Sequence, residues 1–138
     1  MTKKFWCSFF TWFLMMTSCG PEKNIKSTLS KNSGGCDVQF EWLKGPSVDD
    51  KDSNKVRVSF EKDGETLTDY TLTKAGIYMK IHSHGGFDGD IAFFEDPDHP
   101  GAWIIQNFAF TMTGPWELNL SANRPGFSEE SWELKVEV

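Results

Sequence analysis

From residue 38 onward the chain alternates apolar and polar side chains with a period of two, the mark of strands that bury one face. Val38, Phe40 and Trp42 fall on one face, with Gln39 and Glu41 on the other. Val56, Val58 and Phe60 alternate with Arg57, Ser59 and Glu61, and Ile77, Met79 and Ile81 alternate with Tyr78, Lys80 and His82. Ile104, Phe108, Phe110 and Met112 share a parity interrupted by Gln106; Trp116, Leu118 and Leu120, then Trp132, Leu134, Val136 and Val138, form the last two runs. Gly45-Pro46, Lys62-Asp63-Gly64 and Gly114-Pro115 punctuate these runs as turns, and 47–54 reads as a polar loop. No stretch beyond residue 20 carries helical spacing. About seven short strands in ~100 residues predict an all-β fold, a single immunoglobulin-like antiparallel β-sandwich over 37–138. The repeated Trp-Glu-Leu at 116–118 and 132–134 reads as two strands obeying one alternation.

The first residues follow a different pattern. Lys3 and Lys4 precede an apolar run from Phe5 to Met16, too short for the ~20 residues of a spanning helix but suited to a signal-peptide core. Met16-Thr17-Ser18-Cys19 resembles a lipobox, so residues 1–18 are expected to be a lipoprotein signal peptide and Cys19 the lipid-carrying first residue of the mature chain. Residues 19–36, rich in Lys, Asn, Ser and Gly, then form the lipidated cysteine and a flexible tether. The expected location is the bacterial cell envelope, anchored through the lipid; Gly20 supplies no aspartate-type inner-membrane retention signal, which favours the outer membrane.

Loss of Lys3 and Lys4 with the signal takes the formal net charge from −6 to −8. An acidic domain without a basic stripe repels phosphate backbones, so nucleic acid is not an expected partner. Of the three cysteines, Cys7 departs with the signal and Cys19 becomes a thioether, leaving Cys36 with no internal disulfide partner. Cys36 then reads as a buried small hydrophobe, an intermolecular cross-link or a soft metal ligand.

One stretch resembles a known family. Phe108-Ala109-Phe110-Thr111-Met112-Thr113-Gly114-Pro115-Trp116-Glu117-Leu118 is similar to the closing motif of the YtkA-like family of small exported β-sandwiches, to which the FixH-like group is related. Members often carry an upstream Met- and His-rich loop of the form Met-Pro-x-Met-Gly-His-Gly. Met79-Lys80-Ile81-His82-Ser83-His84-Gly85-Gly86 occupies that place here; Met79, His84 and Gly85 match, Lys80 stands where Pro is usual and His82 where a second Met is usual. The resemblance spans roughly 54–121. It implies a copper-associated or oxidase-assembly accessory role and would favour Met79 and Met112 as ligands.

The residues themselves point to the histidines. His82 and His84 are two apart, so on an extended chain both rings project to one side, and imidazoles suit Cu(II), Ni(II) and Zn(II). His99, in Glu95-Asp96-Pro97-Asp98-His99-Pro100, is the third histidine and the next candidate. Parity sets Met79 with Ile77 and Ile81 in the core and Met112 with Phe108 and Phe110, so both methionines rank below the histidines as ligands. The carboxylates Asp88, Asp90, Glu95, Asp96 and Asp98 suggest calcium, but apolar residues interrupt them and no EF-hand pattern is present, so a solvated acidic loop is the preferred reading. No Gly-x-Ser-x-Gly, phosphate-binding glycine loop or His-Glu-x-x-His occurs, so no enzymatic activity is expected. The expected function is copper binding or delivery at the His82–His84 loop; the competing expectation is a structural or partner-binding envelope module without metal.

Overall fold

The computed structural model describes residues 36–86 and 88–138. The expected signal peptide, Cys19 and most of the tether lie outside the described residues. Nine strands run through the described chain: β1 (Asp37–Lys44), β2 (Lys55–Lys62), β3 (Glu65–Leu67), β4 (Thr71–Met79), β5 (His84–Gly85), β6 (Ala92–Glu95), β7 (Ala102–Gln106), β8 (Pro115–Asn123) and β9 (Glu130–Glu137). They form two antiparallel sheets in the orders β1-β2-β7-β6, with β3 added to β2, and β5-β4-β8-β9. This is the immunoglobulin-like arrangement, a four-strand path on one side and a three-strand sheet with one added edge strand on the other. The β-sandwich that the alternation predicts is therefore the observed fold.

The inward positions are those the period-two pattern assigns. Val56, Val58 and Phe60 are fully covered, and Leu118, Leu120, Leu134 and Val136 meet them from the second sheet. Aromatic rings fill the space that a disulfide bridges in antibody domains. Phe60 stacks on Tyr70 at 4.5 Å and lies 5.0 Å from Trp132, while Phe110 meets Trp116 edge-on at 5.3 Å. Each such ring removes on the order of 150–250 Å² from water. Strand β7 departs from alternation, with Trp103, Ile104 and Ile105 all buried. It is central in its sheet, and Arg57 and Phe94, in register on either side, flank Ile104 on the outer face.

Three expectations of parity fail, each where the chain leaves the β region. Ile104 stands on the outer face while Phe108 and Phe110 face the core, because the left-handed Asn107 intervenes. Ile81 was expected in the core but is 70 % exposed, because β4 ends at Met79 and Lys80–His82 coil into a 3-10 turn closed by Ser83 in the left-handed region. Met112 was likewise placed with Phe108 and Phe110, yet it is 39 % exposed on the corner between β7 and β8. Phe108 and Phe110 stay buried, but the chain bends through 111–114 and stops alternating there, so Met112 does not share their face. Parity carries no information across a residue that leaves the β region.

The turns sort into two ends. Cys36, the β2–β3 turn, the β6–β7 turn and the β8–β9 turn gather at one end; the Gly45–Asn54 loop, the turn after β4 and the β7–β8 corner gather at the other. At the first end the Cys36 thiol donates to the Tyr70 phenol oxygen at 3.5 Å, and that phenol donates to Glu130 at 2.7 Å. Burial pushes both the thiol and the phenol above their ordinary ranges. A protonated, covered thiol of this kind is a poor nucleophile and a poor ligand, which leaves Cys36 as a packing residue.

Candidate metal-binding turn

The histidine turn is built by the abrupt end of β4. After Met79 the chain coils through Lys80–His82, and β5 returns antiparallel with Tyr78 opposite Gly85 and Met79 opposite His84. Directly opposed residues in an antiparallel pair point to the same face. The four-residue reversal thus resets the parity, and His84 comes to lie on the inward face with Met79 rather than on the outward face with Tyr78 and Lys80. Gly86 lets the returning chain pass closely, since a Cβ there would stand 2.4 Å from Ile77 Cδ1 and 2.6 Å from the Ala109 carbonyl oxygen.

The rings of His82 and His84 stand 6.0 Å apart, centroid to centroid, tilted by 31°. His82 is exposed and His84 is half-buried. The His84 ring meets Trp116 edge-to-face at 5.7 Å. Its Nδ1 lies 2.9 Å from the Gly85 carbonyl oxygen, which can only accept; Nδ1 therefore carries the hydrogen, and in the neutral ring Nε2 keeps the free lone pair. A metal–nitrogen bond of about 2.0–2.1 Å sets a ring centroid roughly 3 Å from the ion, so two rings sharing an ion stand up to roughly 6 Å apart. The observed 6.0 Å falls within that span.

The methionines take different places. Met79 is 1 % exposed and forms the floor beneath His84. Met112 lies on the β7–β8 corner, and its carbonyl oxygen accepts the Trp116 indole N–H at 3.0 Å. Trp116 is the residue that sequence reasoning missed: it ties the corner carrying Met112 to the strand pair carrying His84. The signal available was its position, four residues after Met112 at the start of a strand. There it does what a corner tyrosine does in related sandwiches, bonding back to the backbone just upstream.

His99 does not join this group. It lies on the β6–β7 turn at the opposite end, where a Cβ added to Gly101 would sit 2.8 Å from the Leu67 carbonyl oxygen. The nine residues of β4 separate the two ends by roughly 26 Å. Its Nδ1 instead meets Asp96 Oδ2 at 3.0 Å, an atom that also accepts from Arg57 Nε at 2.7 Å. The Asp98 backbone N–H and the Arg57 guanidinium hold the Asp96 carboxyl below the usual carboxylate range. The other acidic residues of this region are dispersed as well. Asp88 accepts the Ile77 backbone N–H at 3.1 Å, capping β4 where β5 has ended, and Asp90 pairs with Lys51 at 2.7 Å. Among the described residues no three His, Cys, Asp or Glu side chains gather around a common point.

Lys80 folds across the outer face of the second sheet, reaching Glu117 at 2.8 Å and Glu133 at 3.2 Å. These two contacts hold its ammonium above its usual value and anchor the first residue of the turn to β8 and β9. Beside it lies a groove of about 410 Å³, with Ile81 and Pro115 on its walls and Lys135 and Glu137 at its rim. Comparison with protein-family models, with curated proteins and with solved structures returned no match.

Proposed function

We propose that this chain is an exported, non-enzymatic lipoprotein whose β-sandwich binds or delivers copper through His82 and His84. The observation that carries this reading is the 6.0 Å separation of the two rings, with the Nδ1 of His84 occupied by a carbonyl and its Nε2 left as a donor. Fixing the tautomer of an imidazole through its second nitrogen is the usual preparation of a metal ligand. Met112 is the one exposed methionine among the described residues, Met79 lies opposite His84 in the strand pair, and His99 at the far end takes no part. The likeness of the 79–86 and 108–118 segments to the YtkA-like family adds copper as the favoured ion.

Copper(II) added to the domain should quench tryptophan fluorescence, because Trp116 touches His84 directly. A His82→Ala/His84→Ala double variant should bind more weakly by roughly 100-fold or more, beyond the loss expected from an outer-shell partner. Binding should also weaken on acidification, since the ion displaces protons from imidazole. Equal affinity for the parent and the double variant would remove the histidines from the site.

Anchoring follows from Cys19. Intact-mass analysis of the membrane fraction should give a chain that starts at residue 19 and carries acyl groups, attached to the envelope and in the outer membrane. A soluble chain of unmodified mass, or anchoring that persists in a Cys19→Ser variant, would contradict it. If copper does not bind while anchoring holds, the domain stands as a structural or partner-binding envelope module without metal.

A further inference from the structure

Two imidazoles leave a first-row divalent ion short of the four ligands it takes in most protein sites. The described residues supply no third His, Cys, Asp or Glu at this turn. The remaining positions are open to water, the Met112 thioether or donors from another molecule, and the surface around the turn has the features of one that fits itself. An isologous interface needs a projection and a matching recess on the same patch. Ile81, 70 % exposed, projects from the residue next to His82, and the groove of about 410 Å³ opens directly beside it. Pro115, Trp116 and Val136 line that recess, which is mostly apolar. Lys80 and Glu117 at its rim are paired within the chain, and Lys135 and Glu137 carry opposite signs there, so a two-fold copy can place lysine against glutamate although the chain as a whole is at −6.

Resting on the copper reading above, we infer that a second copy of this chain completes the metal site: two protomers related by a two-fold axis hold one Cu(II) between their His82 and His84 pairs. Ile81 of each protomer seats in the groove of the other. Four imidazoles around one ion give the nitrogen-only set that Cu(II) accepts in tetragonal geometry. The ion and the apolar contact reinforce one another, because each brings the same two surfaces together. Neither contact alone is extensive, so dimerisation should depend on metal.

The test uses the full-length chain in a mild detergent, with Cu(II) as the probe. Light scattering that resolves the protein mass should give a monomer without metal and twice that mass with Cu(II), reversed by a chelator. Binding should saturate at one Cu(II) per two chains. Ile81→Asp, which leaves all four imidazoles in place, should weaken the copper-dependent dimer by tenfold or more. Saturation at one Cu(II) per chain with the mass unchanged overturns the shared site while leaving copper binding intact. Absence of any binding overturns both. A His82→Ala/His84→Ala variant that still doubles its mass with Cu(II) overturns the shared site as well, and a dimer indifferent to Ile81→Asp overturns the seating of Ile81 in the groove.

Discussion

Replacing Trp116 with alanine should cost about 3–5 kcal/mol of unfolding free energy, the range for truncating a large aromatic in a packed core. Trp116 is 1 % exposed, meets Phe110 at 5.3 Å and His84 at 5.7 Å, and donates its indole N–H to the Met112 carbonyl at 3.0 Å. Truncation therefore opens a cavity, leaves a carbonyl without its donor and removes the wall against which His84 rests. Trp116→Phe keeps much of the packing and deletes the hydrogen bond, so it should cost nearer 1 kcal/mol from that loss. Denaturant unfolding of the three proteins under one condition separates the two contributions. An alanine variant within about 1 kcal/mol of the parent would show that the β7–β8 corner is not held by this ring. The copper reading adds a second readout: Trp116→Phe should retain metal binding, because no ligand has been removed.

Asn54 should have an effect of similar size, for a different reason. It is 1 % exposed, and its side chain holds a loop together: Oδ1 accepts the Ser47 backbone N–H at 2.8 Å, while Nδ2 donates to the carbonyls of Ser47, Asp50 and Phe108 at 2.9, 3.1 and 3.0 Å. The Phe108 bond fastens the Gly45–Asn54 loop to the corner after β7, where Asp49 N–H also reaches the Phe110 carbonyl at 2.8 Å. Alanine at 54 strands several backbone groups, each costing about 1–3 kcal/mol when buried without a partner. Water reaching the loop relieves part of this, so a net loss of about 3 kcal/mol is expected, lowering the melting temperature by roughly 10–20 °C. Asn54→Asp is the sharper test. Its carboxylate presents acceptors to carbonyl acceptors, so it should be less stable than alanine at neutral pH and should recover as the pH falls and the carboxyl gains a proton to donate. Circular dichroism melts across pH check both. A variant that melts with the parent would contradict the role of the amide.

Much of the architecture was legible along the chain because a strand with one buried face writes its orientation into every second residue. The runs 38–42, 56–60, 116–120 and 132–138 told which side faced inward, and their inward residues are those found in the core. The polar loop 47–54 was also legible, but the hub within it was not. An asparagine in a polar segment looks like any turn residue until the carbonyl of Phe108, 54 positions away, appears beside it.

The candidate site was half legible. The spacing of His82 and His84 suggested rings on one side of an extended chain; the rings do approach, but through a 3-10 turn and a strand reversal. The rank of the methionines followed from parity, which held for Met79 and failed for Met112, inside the bend at 111–114. His99 seemed available to the same site by elimination, and the sheet order places it at the other end.

By itself the sequence determined the all-β class, the inward faces of the long strands and the turn positions, because these depend on neighbours within a few residues. Which end each turn occupies, which parity survives a left-handed residue, and which tryptophan backs which histidine were decided only by the tertiary structure. The reason is physical: strand pairing joins residues tens of positions apart, and a residue outside the β region ends the alternation that local sequence can count.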